Sequence, residues 1–179
     1  TTMLTSIWAI GALIGFGLAG RALLRGANAY RMAGTGLLIG IAAFSTVIFS
    51  APMQAPALFF AGAGLIGLGG GLFAVSTLTA AMALAASGMT GHGLALGAWG
   101  AAQATAAGLS IAIGGGVRDV VNHLALSGQM GEALSTPATG YSVVYHGEIA
   151  LLFITLAVLG PLVRFKQSGS TTQSGGGRI

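Results

Sequence analysis

Apolar residues in this chain gather into five long runs. Run A is Leu4 to Leu24, run B Met32 to Ser50, run C Ala57 to Ala86, run D Gly93 to Val117 and run E Val143 to Val163. A helix that crosses a bilayer needs about 20 apolar residues, with a range of about 17–25. Runs A, B, D and E fit that length. Run C exceeds it and contains Gly69-Gly70-Gly71, so it is expected to tilt, kink or protrude at one end. The pattern predicts an all-α, polytopic bundle of five transmembrane helices over residues 1–165, followed by a Ser/Thr/Gly-rich tail, 166–179, expected to be disordered.

The connections are mostly short. Ala51 to Pro56 holds two prolines and suits a tight turn. Ser87 to His92 is equally brief. The D–E connection, Arg118 to Gly140, is the sizeable one; its Val120–Leu124 stretch is expected to form a short surface helix, with Pro137 and Gly140 resetting the chain before run E. The A–B connection holds Arg21, Arg25 and Arg31, and the tail region holds Arg164, Lys166 and Arg178. With five spans these two regions share a side, and the positive-inside rule puts that side in the cytoplasm. Arg21, near the end of run A, can snorkel to the interface. The first residue is Thr1 rather than Met, so the chain is expected to begin inside a larger protein.

Composition removes other classes. Charged residues are 6% and hydrophobic residues 54%, with a mean hydropathy of +0.87. A soluble domain carries about 25% charged residues, so a soluble enzyme is excluded as the first reading. A disordered chain is excluded by the same numbers, read in the opposite sense. Glycine contributes 32 residues, which suits close helix crossings in lipid. Cysteine is absent, which removes disulfides, thiolate metal sites and a cysteine nucleophile. No nucleic-acid partner is expected; the lipid bilayer is.

Catalytic patterns are sparse, and an enzyme is not expected. His92, His123 and His146 each sit in or beside a different connection, without the i, i+4 spacing of a helical metal site. Gly114-Gly115-Gly116 lacks the downstream Lys-Ser/Thr and preceding strand of a phosphate loop. Gly11/Gly15, Gly36/Gly40, Gly67/Gly71 and Gly93/Gly97 each place two glycines on one helix face. They read either as generic close packing or as the lining of a groove for a flat ligand. Gln103 lies mid-run in D; a buried amide needs a partner, so it either lines a path or bonds a neighbouring helix. The Ser76, Thr77 and Thr79 hydroxyls can bond back to their own helix. Trp8 and Trp99 fit interfacial aromatic belts. Tyr145-His146-Gly147-Glu148 opens run E. An intramembrane ionisable group points to function by default. His146 can serve as an axial ligand to a tetrapyrrole metal, because imidazole is a common axial donor. The alternative is an interfacial pair of Glu148 with Arg118, while Arg118 and Asp119 can also pair as neighbours.

Gly17-Leu18-Ala19-Gly20-Arg21-Ala22-Leu23-Leu24-Arg25 resembles a degraded copy of the cytoplasmic loop motif G-x-L-a-D-r-x-G-r-r of the major facilitator superfamily. Gly20 replaces the motif's Asp and Leu23 its central Gly. Longer blocks, Gly93 to Gly108, Gly114 to Asp119 and Pro137 to Phe153, together with Trp8 to Phe16, resemble the PucC/LhaA family, the bacteriochlorophyll-delivery branch of that superfamily. The resemblance implies a major-facilitator-like fold, with the five spans as helices eight to twelve of twelve. It implies residence in the inner, intracytoplasmic photosynthetic membrane of a bacterium. It also implies a role as assembly factor for light-harvesting antenna complexes, delivering bacteriochlorophyll or chaperoning antenna polypeptides. Those polypeptides and the reaction centre are the implied partners, and transiently bound bacteriochlorophyll the implied cofactor. His146 is the first candidate for its axial donor and Gln103 the second. A major-facilitator transporter of a small solute is the alternative, and it predicts polar side chains converging near the midplane.

Overall fold

The computed structural model describes residues 2–88, 91–136 and 138–171, the last ten of these by backbone alone. Among them are five long α-helices: α1 (Thr2–Leu24), α2 (Ala29–Ser50), α3 (Pro56–Ala86), α4 (His92–Leu126) and α5 (Ala138–Thr171). A single 3-10 turn, Glu132–Leu134, interrupts the α4–α5 connection, and the described residues contain no strand. All five helices are long and apolar enough to cross a membrane.

Local chemistry sets the helix ends. Asn28 caps α2: its side-chain oxygen accepts from the backbone N–H of Tyr30 at 2.9 Å and of Arg31 at 3.3 Å, satisfying two orphan donors. Pro56 opens α3, where its missing N–H has no helical partner to lose. Run C forms one helix of 31 residues, about 46 Å long at 1.5 Å per residue, so it outreaches the apolar slab.

α3 is the spine. It packs along α1 on one side and α2 on the other, and α2, α3, α4 and α5 close a ring through successive contacts. The crossings of α3 with α1 and α2 are made by glycine. A side chain on Gly36 would meet the Gly69 carbonyl oxygen at 2.7 Å, and one on Gly69 would meet the Gly36 oxygen at 2.7 Å. Gly11, Gly15, Gly67 and Gly71 likewise bring the α1 and α3 backbones together, against Gly64, Leu68, Trp8 and Ala12 respectively. Small residues are what permit such approach in lipid, where packing rather than water exclusion holds helices together.

α4 differs. Of its residues only Ala125 is buried, and Gly93, Gly97, Gly100 and Gly108 have no atom within 4 Å of where a side chain would begin. Three of the four glycine pairs read from the sequence therefore form crossings, while Gly93/Gly97 faces open space.

The structure corrects two boundaries. Val120–Leu124 is not a separate surface helix: α4 runs unbroken through the three glycines to Leu126. No proline lies between Gly93 and Leu126, and a spanning helix satisfies its backbone polar groups internally, so the glycines do not end it. Gly140 does not reset the chain either; it lies in the first turn of α5. Pro137 lies outside the described residues, as does the expected tail from 172 onward, while up to Thr171 the backbone is helical.

Candidate functional site

At one end of the bundle, α5 is locked in rotation by its contacts with α4 and α2. The Asn122 side-chain oxygen accepts from the Gly140 backbone N–H at 3.0 Å, closing an orphan donor of α5 from the neighbouring helix. Gly140 makes this possible, because a side chain there would meet both Asn122 and the Arg118 carbonyl. One turn earlier on α4, Arg118 donates from Nε and Nη2 to the Asp119 carboxylate, at 3.0 and 2.6 Å. Its Nη1 donates to the Tyr141 hydroxyl at 3.1 Å, and the guanidinium lies 5.3 Å from that ring's centre. Tyr141 stands 6.4 Å from Tyr145, and Tyr145 stands 5.9 Å from Phe44 of α2, ring centre to ring centre. The series from Arg118 through Tyr141 and Tyr145 to Phe44 ties three helices together.

This anchoring decides where His146 goes. Tyr145 faces inward, half-buried, and Val144 faces Gly114 of α4. His146, next along the helix, is exposed on the outer surface. Its Nδ1–H donates to the Ser142 carbonyl oxygen at 2.7 Å. A carbonyl can only accept, so this bond assigns the proton to Nδ1 and leaves the Nε2 lone pair available. A metal-binding imidazole is oriented in the same way, its second nitrogen held by a carbonyl or carboxylate.

Gln103 is exposed on α4 and makes no hydrogen bond among the described residues. The structure does not bring it to His146. Gly114 packs opposite Val144, and Gln103 lies on α4 beyond Gly114, toward the far end of the bundle. The rise of 1.5 Å per residue puts it about 13 Å from the level of His146. Glu148 is partly exposed and does not pair with Arg118, which is taken by Asp119 and Tyr141.

Three features escaped the sequence reading. Trp99 does more than belong to a belt: its Nε1–H donates to the Thr77 hydroxyl at 3.2 Å, tying α4 to α3. Thr77 and Thr79 do bond back to Phe73 and Val75 of their own helix, but Ser76 is fully buried with its hydroxyl unpartnered. An apolar cavity of about 260 Å³ lies at the Tyr145 end, between Leu4, Trp8, Phe59 and Tyr145. Among the described residues no three His, Asp or Glu side chains converge as a metal centre.

Five apolar helices among the described residues, three of them crossing through glycine and one leaving its glycine face open, define a polytopic helical membrane protein. The chain belongs to the PucC family: it matches the family described as PUCC protein over residues 1–167. It is 58% identical over 164 residues to a Rhodobacter capsulatus protein named for the puhA-bchM intergenic region, covering 92% of this chain and 34% of that one. It is 42% identical over 165 residues to protein PucC of Cereibacter sphaeroides, again covering 92% and 34%. The bacteriochlorophyll synthase 44.5 kDa chain of Rhodobacter capsulatus is 40% identical over 99 residues, covering 53% and 20%. The chain thus spans about a third of the length of the two more similar relatives, and corresponds to their C-terminal part. No solved structure matches it.

Proposed function

We propose that the chain is part of an assembly factor for light-harvesting antenna complexes, one that carries bacteriochlorophyll transiently and presents it to antenna polypeptides in the inner membrane. The observation that carries this reading is His146: an exposed imidazole on an apolar helix, its Nδ1–H held by Ser142 and its Nε2 free. If bound here, the pigment would be held through its central metal by the His146 imidazole and would supply the light-absorbing ring. The donor set fits a tetrapyrrole better than a bare ion, because a bare ion needs several protein ligands at once. The chain's own work is positional. Ser142 fixes the tautomer, the Arg118–Tyr141–Tyr145–Phe44 series fixes the rotation of α5, and the apolar exterior keeps water from competing for the donor.

Handing over rather than storing a pigment calls for an accessible donor, and His146 is accessible. The open glycine face of α4 offers a flat surface on which a second ring or an antenna helix can lie close to the backbone. In this reading α1, α2 and α3 form the fixed scaffold and α4 with α5 the working side. The C-terminal end of α5 lies in the cytoplasm, by the asymmetry of basic residues between the two ends.

The test is pigment stoichiometry in the His146→Leu variant, purified from its native membrane. A bacteriochlorophyll content reduced at least several-fold, with the protein's melting temperature unchanged, is expected. Unchanged pigment per protein would refute the ligand assignment.

A further inference from the structure

The two ends of the bundle are charged differently. All three acidic residues of the chain, Asp119, Glu132 and Glu148, lie in the last turns of α4, the α4–α5 connection or the first turns of α5. Arg21, Arg25 and Arg31 lie at the other end, where α1 turns into α2, and all three are exposed. Among the described residues the one ion pair is Arg118–Asp119, at the acidic end. Positive charge at the α1–α2 turn therefore has no counter-charge within the described residues.

That same end holds a cavity of about 970 Å³ between the α1–α2 turn and the last turns of α3. Its volume is at the upper end of the range for ligand sites, about 300–1,000 Å³. Arg31 and Tyr30 stand in its wall, and the Tyr30 hydroxyl makes no hydrogen bond among the described residues. The α2 N-terminus is not what an anion would find here, because Asn28 already accepts from the backbone N–H of Tyr30 and Arg31. The free donors are side chains. Beside them Leu23, Met32 and Leu84 make an apolar wall. Polar donors with a cation on one side and apolar side chains on the other, at the end of membrane-spanning helices, match an amphiphile with an anionic head.

We propose that this cavity seats the headgroup of an anionic phospholipid drawn from the adjoining leaflet. The phosphate lies on the Arg31 guanidinium and the Tyr30 hydroxyl, and the glycerol and first methylenes lie against Leu23, Met32 and Leu84. Arg21 and Arg25 add long-range attraction. Each arginine near an anionic surface contributes about 1 kcal/mol, or about fivefold in affinity. The apolar wall argues for a lipid over a free phosphate, which would gain nothing from it.

The experiment is native mass spectrometry of the purified, delipidated protein in detergent, titrated with phosphatidylglycerol, phosphatidylcholine or inorganic phosphate. One tight phosphatidylglycerol adduct is expected, favoured over phosphatidylcholine by tenfold or more. Arg31→Gln is expected to weaken it about fivefold or more, Tyr30→Phe to weaken it without altering fold, and Glu132→Gln, exposed at the opposite end, to leave it unchanged. Equal adducts of the two lipids, or an unaltered Arg31→Gln titration in a protein that melts normally, would overturn the site. Displacement of phosphatidylglycerol by millimolar phosphate would overturn the lipid as its occupant.

Discussion

The reciprocal crossing of α2 and α3 gives the sharpest stability prediction. In Gly36→Ala the new methyl would lie 2.7 Å from the Gly69 carbonyl oxygen and 3.0 Å from the Phe73 backbone nitrogen, where ordinary contacts begin at 3.4 Å. Both obstacles are backbone atoms, which cannot rotate away as a flexible side chain can. The helices must part by about 0.7 Å, and a gap of that size forfeits a quarter to a half of each contact it opens. Overpacking a tight site costs about 1–3 kcal/mol, and a backbone-on-backbone clash belongs at the upper end. Alanine also returns up to about 1 kcal/mol of helix propensity over glycine.

Gly70→Ala is the matched control. Gly70 is the neighbour of Gly69 on α3, and nothing lies within 4 Å of the site of its added carbon. It receives the propensity gain without the clash. The intrinsic contribution cancels between the two variants, so their difference isolates the crossing at about 3 kcal/mol. The assay is thermal unfolding in mild detergent followed by circular dichroism, where about 2–4 °C separates variants per kcal/mol. Gly36→Ala should melt well below wild type and Gly70→Ala at or slightly above it. If the two alanine variants melt together, glycine contact between α2 and α3 is not what holds the core.

Two further outcomes are expected. Trp99→Phe keeps the ring but removes the donor to Thr77, so it should cost about 0.6–1 kcal/mol by the same unfolding assay, and Thr77→Val should cost no more in that background; full additivity of the two would deny the bond. For topology, a cysteine at Ser127 should react with a membrane-impermeant maleimide added from the periplasmic side, and one at Ala27 should not; the opposite pattern would invert the proposed orientation.

Much of the fold was legible in the sequence because the bilayer imposes so few solutions. Apolar runs long enough to span have to be helices, and four of the five runs match their helices at one end or both to within three residues. Run E is the exception: α5 outreaches it by more at each end, starting at Ala138 and continuing to Thr171. The misjudged stretches lay where apolarity ends but helicity does not. Arg118 to Leu126 reads as a connection by composition, yet Arg118, Asp119 and Asn122 continue α4. Arg118 and Asn122 do so because each has a partner at the start of α5. The glycine pairs marked which faces were narrow, but not which were used; Gly93/Gly97 has the same spacing as Gly67/Gly71 and meets nothing.

The site was legible only as residue types. His146 stood out because a histidine in an apolar run is rare. What suits it to the proposed role, the Nδ1–H bond to Ser142 one turn back and the outward rotation, depends on how Tyr145 and Tyr141 pack. The alternative Glu148–Arg118 pair does not form, because the Arg118 guanidinium is taken by Asp119 at 2.6 Å and by the Tyr141 hydroxyl at 3.1 Å. The cation-lined cavity at the α1–α2 turn joins residues 57 positions apart, Tyr30 and Ser87, and no local pattern announces it.

The most direct test of the central claim is a near-infrared absorption spectrum, with subunit identification, on the protein gently extracted from its native membrane and stripped of antenna subunits. Bacteriochlorophyll bands that remain with the stripped protein, and fall away in His146→Leu, are the predicted result. A stripped protein without those bands, from membranes where antenna assembly is under way, would contradict the account.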